Sequence, residues 1–178
     1  VSQRHFGQWT EKAFRMGVPT VGGDGNRLSV KTNTVTVDGL QIMVDDDGGN
    51  VTGLYIESTG SSVVSNNILR KIDSVSWGSG IYLGSTGGIG KSFNNLIYGF
   101  DVFNSIWVNA ANNTQYIYNN SGFDHMSGIR STNGTVIAKN NLMKGSSNNQ
   151  NYDGSFGLGS NYNISDDATV PGGVNDRA

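Results

Sequence analysis

From Leu28 onward the chain alternates short apolar stretches with polar turns. In Gly53-Leu54-Tyr55-Ile56, Gly80-Ile81-Tyr82-Leu83, Ser105-Ile106-Trp107-Val108 and Gly128-Ile129-Arg130-Ser131, a small residue precedes a period-two pattern. Alternation of this kind predicts a β-strand with one face buried. Counted from Leu54, these strands recur at intervals of 27, 25 and 23. A second pattern lies between them, two turn-type residues followed in most copies by an aliphatic one. It appears as Asp38-Gly39-Leu40, Asn66-Asn67-Ile68, Asn94-Asn95-Leu96, Asn119-Asn120-Ser121, Asn140-Asn141-Leu142 and Tyr162-Asn163-Ile164. With the second residue as marker, the intervals are 28, 28, 25, 21 and 22. The two series advance together.

A period of this length, built from short strands and Gly/Asn/Ser turns, is one turn of a β-solenoid. A single coil cannot bury its apolar side, so coils stack and close a continuous core. The variation in length falls in the loops, where it is tolerated. Asparagine at one turn of every coil has two physical uses. It tolerates the left-handed conformation of a tight turn, and if it points inward it can bond the amides above and below in a ladder. The expected organisation is an entry or capping segment over residues 1–27, about six coils over 28–165, and a tail or linker over 166–178. No strong capping helix is visible, residues 8–16 being the one short candidate. Open ends would call for further domains or for a homo-oligomer that covers them.

Composition sharpens this picture. The 178 residues include 26 Gly, and we count 22 Asn and 20 Ser. That bias approaches a disorder signature, but 17 aromatics and the ordered Val/Ile strands argue for a packed domain. Twelve basic and 14 acidic residues leave a net charge of −2, with no basic block suited to nucleic acid. No apolar run reaches the length of a membrane span. With no cysteine, disulfide scaffolds and Cys-ligated zinc are excluded. The first residue is Val1, so the chain reads as a processed product or a piece of a longer protein.

The Asn-Asn-Ile/Leu coils resemble the right-handed parallel β-helix repeats of the pectin-lyase-like superfamily, over roughly residues 28–165. The opening stretch, His5 to Trp9 through Phe14-Arg15-Met16 and then Val35 to Ile42, is similar to the entry coils of bacterial and phage surface β-helices. The resemblance implies an all-β, right-handed parallel β-helix and an extracellular, cell-surface or virion location. It implies little about activity, because this scaffold hosts lyases, hydrolases, adhesins and phage spikes.

Strand alternation assigns the faces. Leu54/Ile56, Ile81/Leu83 and Ile106/Val108 are expected inside. Tyr55, Tyr82, Trp107 and Arg130 then point outward in successive coils, as a column of substrate-binding candidates about 14 Å long at about 4.8 Å per coil. Aromatic rings and an Arg on a flat sheet suit a sugar polymer. They equally suit a sheet-stabilising ladder or a subunit interface. Two residues further on lie Glu57, Gly84, Asn109 and Thr132, which lack the paired carboxylates of glycoside hydrolysis.

A second column is acidic. Asp45, Asp73 and Asp101 are spaced 28 and 28, and Asp124-His125 falls near the same place. The column supports a Ca²⁺ site at Asp45, Asp73 and Asp101, an acid/base set of Asp73, Asp101, Asp124 and His125, or plain solvated turns. Apart from Ca²⁺, no cofactor is implied. The run Asp45 to Asn50 lacks the Glu of an EF-hand, and the segment ending in Gly90-Lys91-Ser92 has Ser85 where a phosphate loop needs Gly. Next to pectate-lyase-like sites, the chain offers Lys71 and Arg70 as the nearest basic residues. Next to polygalacturonase-like sites, it has Asp124-His125-Met126 in place of Gly-His-Gly and no Arg-x-Lys.

The leading expectation is a structural or recognition module that binds polysaccharide through the aromatic column. The alternatives are a polysaccharide lyase or glycoside hydrolase using the Asp column, and a purely structural subunit of a surface or virion assembly.

Overall fold

The structure, a computed structural model, describes residues 13–14, 25–32, 34–44, 51–72, 78–84 and 87–178. Among them there is no helix. The chain is a parallel β-solenoid of about five turns, where about six were expected. Thirteen strands form one continuous sheet: β1 (Ala13–Phe14), β2 (Gly25–Thr32), β3 (Val35–Asp38), β4 (Gln41–Val44), β5 (Val51–Ser58), β6 (Ser62–Ser65), β7 (Ile68–Lys71), β8 (Ile81–Leu83), β9 (Gly90–Phe93), β10 (Leu96–Tyr118), β11 (Ser121–Lys139), β12 (Leu142–Phe156) and β13 (Ile164–Ser165). From β10 onward a strand runs around most of a coil, because the corners shorten and pairing continues through them.

Each coil has three faces. The first stacks β1, β4, β7, the starts of β10, β11 and β12, and β13. The second stacks β2, β5, β8 and the middle of the three long strands. The third stacks β3, β6, β9 and the ends of β10 and β11. The expected inward residues of the second face, Leu54, Ile56, Ile81, Leu83, Ile106 and Val108, are all fully buried. They continue as Ile129 and Tyr152, with Ile97, Phe100, Met143, Val64 and Ile117 facing them from the other walls. Fully burying each such side chain is worth about 1.5–3 kcal/mol.

The corner between the third and first faces explains the paired asparagines. Its first residue is left-handed in every coil: Gly39, Asn66, Asn94, Asn119, Asn140 and Tyr162 all have φ between 55° and 70°. Its second residue turns inward as a rung of a ladder. Asn67 Nδ2 donates to Asn95 Oδ1 at 2.9 Å, and the pattern repeats from Asn95 to Asn120 (2.9 Å), Asn120 to Asn141 (3.1 Å) and Asn141 to Asn163 (2.9 Å). Each acceptor oxygen also takes the backbone N–H of the preceding rung. The second amide proton goes to a carbonyl such as Val37, Val64 or Ile117. No rung is more than 2% exposed.

This geometry corrects the repeat phase at its first copy. Gly39 matches Asn66, not Asn67, so the first step is 27 residues and not 28. Gly belongs where the backbone is left-handed. Leu40 therefore occupies the first rung and contributes only its N–H, which donates to Asn67 Oδ1 at 2.9 Å.

The ladder is directional, since every rung donates toward the C-terminal end. Asn163 accordingly needs an acceptor beyond it, and Asp176 supplies one. Asp176 Oδ1 accepts from Asn163 N at 2.7 Å and from Asn163 Nδ2 at 3.0 Å. A carboxylate has nothing to pass on, so the chain of amides stops there. Residues 166–178, expected as a tail or linker, in fact lie against the last coil. Ile164 bridges Arg177, and Asp166 and Asp167 accept from Gly145, Asn151 and Thr169.

Candidate functional site

On the second face the outward residues come into register as expected. Tyr55 pairs with Tyr82, Tyr82 with Trp107 and Trp107 with Arg130. Ser29 precedes this column and Asp153 follows it. The sequence reading omitted Asp153, although continuing the interval of 23 from Arg130 reaches it.

The rings are not equivalent. Tyr55 and Tyr82 are parallel within 6° with centroids 4.5 Å apart. Rings that close and parallel must overlap face to face, so their faces meet along the solenoid axis and their edges look outward. Gly84 makes room for this: a Cβ there would come within 2.5 Å of the Tyr82 ring. The parallel run stops at Trp107, whose plane lies at 80° to Tyr82 and at 70° to Phe103. Burial and the neighbouring Tyr82 push the Tyr55 phenol above its ordinary value, so it keeps its proton at neutral pH.

Polar groups surround the rings. Asn109 Nδ2 donates to Tyr82 Oη at 3.1 Å, Asn133 Nδ2 to Asn109 Oδ1 at 2.6 Å, and Trp107 Nε1 to Thr132 Oγ1 at 3.0 Å. Thr132 was expected opposite Asn109. An irregularity after Val108 instead places Asn133 there and leaves Thr132 free to reach the indole. Two ion pairs lie on this face. Lys31 meets Glu57 at 2.9 Å, and Arg130 meets Asp153 at 3.1 Å. The hydrogen bond and charge of Glu57 raise the ammonium pKa of Lys31.

Of the acidic candidates, Asp101 and Asp124 lie at the corner between the first and second faces. Asp45 and Asp73 fall outside the described residues. Asp101 and Asp124 are not equivalent rungs. Tyr98 pairs with Phe123 and Phe100 with His125, which puts Asp124 level with Gly99. The offset between these coils falls from 25 to 23 residues just past Phe100, and falls again between Asn109 and Thr114. Lys71, with its side chain 1% exposed, lies 3.5 Å from Asp101. Asp101, Asp124, Lys71, Gly99, Gly145 and Ser147 border a depression of about 490 Å³. His125 also borders it but is fully buried.

His125 belongs to a chain of polar groups through the interior. Its Nε2 lies 2.7 Å from Asn151 Oδ1 and its Nδ1 3.0 Å from Ser105 Oγ. Asn151 Nδ2 already donates to Ser165 and Asp166, so its oxygen must accept. The neutral ring therefore carries its proton on Nε2, and Ser105 donates to Nδ1. Burial lowers the imidazole pKa, against the upward pull of Asn151, Asp166, Asp124 and Asp167. With both nitrogens engaged and no surface exposed, His125 links three coils and is not presented to a ligand. Among the described residues, no group of three or more His, Cys, Asp or Glu is placed to hold a metal ion. Nor, among them, is any helix long and apolar enough to cross a membrane.

No protein-family model, no curated protein and no solved structure matches this chain.

Proposed function

We propose that this solenoid is a structural and recognition module of an extracellular, cell-surface or virion assembly, and that its second face binds polysaccharide. We also propose kinship with the surface-exposed members of the pectin-lyase-like β-helices, on the strength of the asparagine corners. The observation that carries the binding reading is the in-register column Tyr55, Tyr82, Trp107, Arg130, one half-exposed side chain per coil on a flat parallel sheet. Trp107 is its centre, since its faces are not shared with a parallel neighbour. Asn109, Asn133 and Tyr82 offer donors and acceptors to sugar hydroxyls beside it. The rise of about 4.8 Å per coil is close to the length of one hexopyranose unit, so successive sugars could meet successive coils. Affinity electrophoresis through polysaccharide-loaded gels tests the reading: Trp107→Ala should lose retardation that the parent shows. Equal mobility of parent and variant in every polymer would sink it.

One observation favours a second reading. The Tyr55–Tyr82 stack spends its faces on itself, as an aromatic ladder that only supports the sheet would. On that reading the module is purely structural. Tyr82→Ala would then lower stability while leaving every binding assay untouched.

A further inference from the structure

Resting on the binding reading of the second face, we propose that its ligand is an uncharged hexose polymer, and that the face discriminates against acidic glycans. The first observation is the state of its charges. Lys31 and Arg130 on this face each have their own carboxylate: Lys31 meets Glu57 at 2.9 Å, and Arg130 meets Asp153 at 3.1 Å. A ligand carboxylate approaching Arg130 meets a guanidinium whose charge Asp153 already balances, and is repelled by that neighbouring carboxylate.

The second observation is the kind of polar group between those pairs. Asn109, Asn133, Thr132 and the Tyr82 hydroxyl can each both donate and accept. A sugar hydroxyl has the same dual character and can enter such a network at either end. A carboxylate only accepts, and leaves the acceptors of the network unmatched.

The third is a contrast within the molecule. On the first face Arg70, Tyr98, Phe123 and Lys144 form another outward column. There Arg70 lies over Tyr98 at 5.7 Å, and among the described residues neither Arg70 nor Lys144 has a carboxylate partner. Arg70 and Lys144, cations that would attract an acidic chain, therefore stand on the first face and not beside Trp107.

The test compares neutral polymers (a β-glucan, a galactomannan) with acidic ones (polygalacturonate, alginate) by affinity electrophoresis at low and high salt. The parent should be retarded by a neutral polymer equally at both salts, because no net charge is neutralised on binding. Trp107→Ala should weaken this about tenfold or more, as expected of an interface anchor, with an unchanged circular dichroism spectrum. Asp153→Asn frees Arg130 and should add salt-sensitive retardation by the acidic polymers. Retardation by acidic polymers that Trp107→Ala abolishes would overturn the ligand class while leaving the binding face standing. Retardation by acidic polymers that only Arg70→Ala and Lys144→Ala abolish assigns that binding to the first face and supports the proposal. A sedimenting dimer that Trp107→Ala converts to monomer would make a second copy the occupant and overturn the proposal. Retardation by no polymer would remove the binding reading and this inference together.

Discussion

The asparagine column and the aromatic column both place one residue in each coil, yet they repeat differently. The inner column keeps its residue type from Asn67 to Asn163 and closes on Asp176. The outer column changes from Tyr to Trp to Arg to Asp within the same coils. The reason is energetic. An inward amide that loses a neighbour leaves buried donors and acceptors unmatched, at about 1–3 kcal/mol for each. An outward side chain that changes type returns its partners to water. Interior repetition is therefore enforced, and exterior sequence is free to become specific.

The strongest break of this contrast is Asn120→Ala. It removes the acceptor for both Asn95 N–H groups and the donors to Ser92, Tyr118 and Asn141. Urea unfolding should show a loss of about 3 kcal/mol or more. A loss below about 1 kcal/mol would mean that the ladder is not what holds this corner.

Next comes Asp176→Ala, which opens the last rung. About 1–2 kcal/mol should be lost, and proteolysis should begin within residues 166–178. Asp176→Asn can still present an oxygen to Asn163 but sets its amide NH2 against the Gly173 N–H that Asp176 Oδ2 accepts at 2.6 Å, and should fall between the parent and Asp176→Ala.

Acidification attacks the interior at defined points. Burial holds the folded His125 pKa below its ordinary 6.5, so the unfolded chain binds that proton more readily. Stability is fully present above about pH 6.5 and declines as pH falls toward the folded value. Asp167 acts lower. Burial pushes its carboxyl up, but hydrogen bonds from Thr169 and Ser165 and the backbone N–H groups of Thr169 and Asn151 leave it below the ordinary 3.8. Its contribution is present above that value and is lost as pH falls through the folded one. His125→Gln should flatten the urea midpoint between pH 7 and 5. A variant that still follows the parent's decline would locate the titration elsewhere.

The smallest effect on stability belongs to Trp107→Ala, within about 1 kcal/mol. It should nonetheless have the largest effect on ligand retardation. A Trp107→Ala variant as unstable as Asn120→Ala would erase the distinction between the two columns.

How much of this was legible depends on the residue. The strands around Leu54, Ile81 and Ile106 were readable because alternation and recurrence agree. The Asn corners were readable as repeats, but the phase at Gly39 was not: both positions of the corner favour turn residues, and only φ separates the left-handed one from the inward one. Asp176 looked like part of a tail because an acceptor-only terminus means something only once the ladder's direction is known. Asp124 fell near the acidic column by sequence, yet it stands level with Gly99, because the offset between coils is still 25 residues there and shortens only past Phe100.

By itself, then, the sequence determined the solenoid, the inward strands and the residues of the outward column. These follow from periodicity, and periodicity is local information. Tertiary structure decided which aromatic faces are shared, which charges are paired and how the ladder ends. Each of those depends on a neighbour 13 to 27 residues away in the chain but in contact in space, and register at that range is settled only when the coils stack.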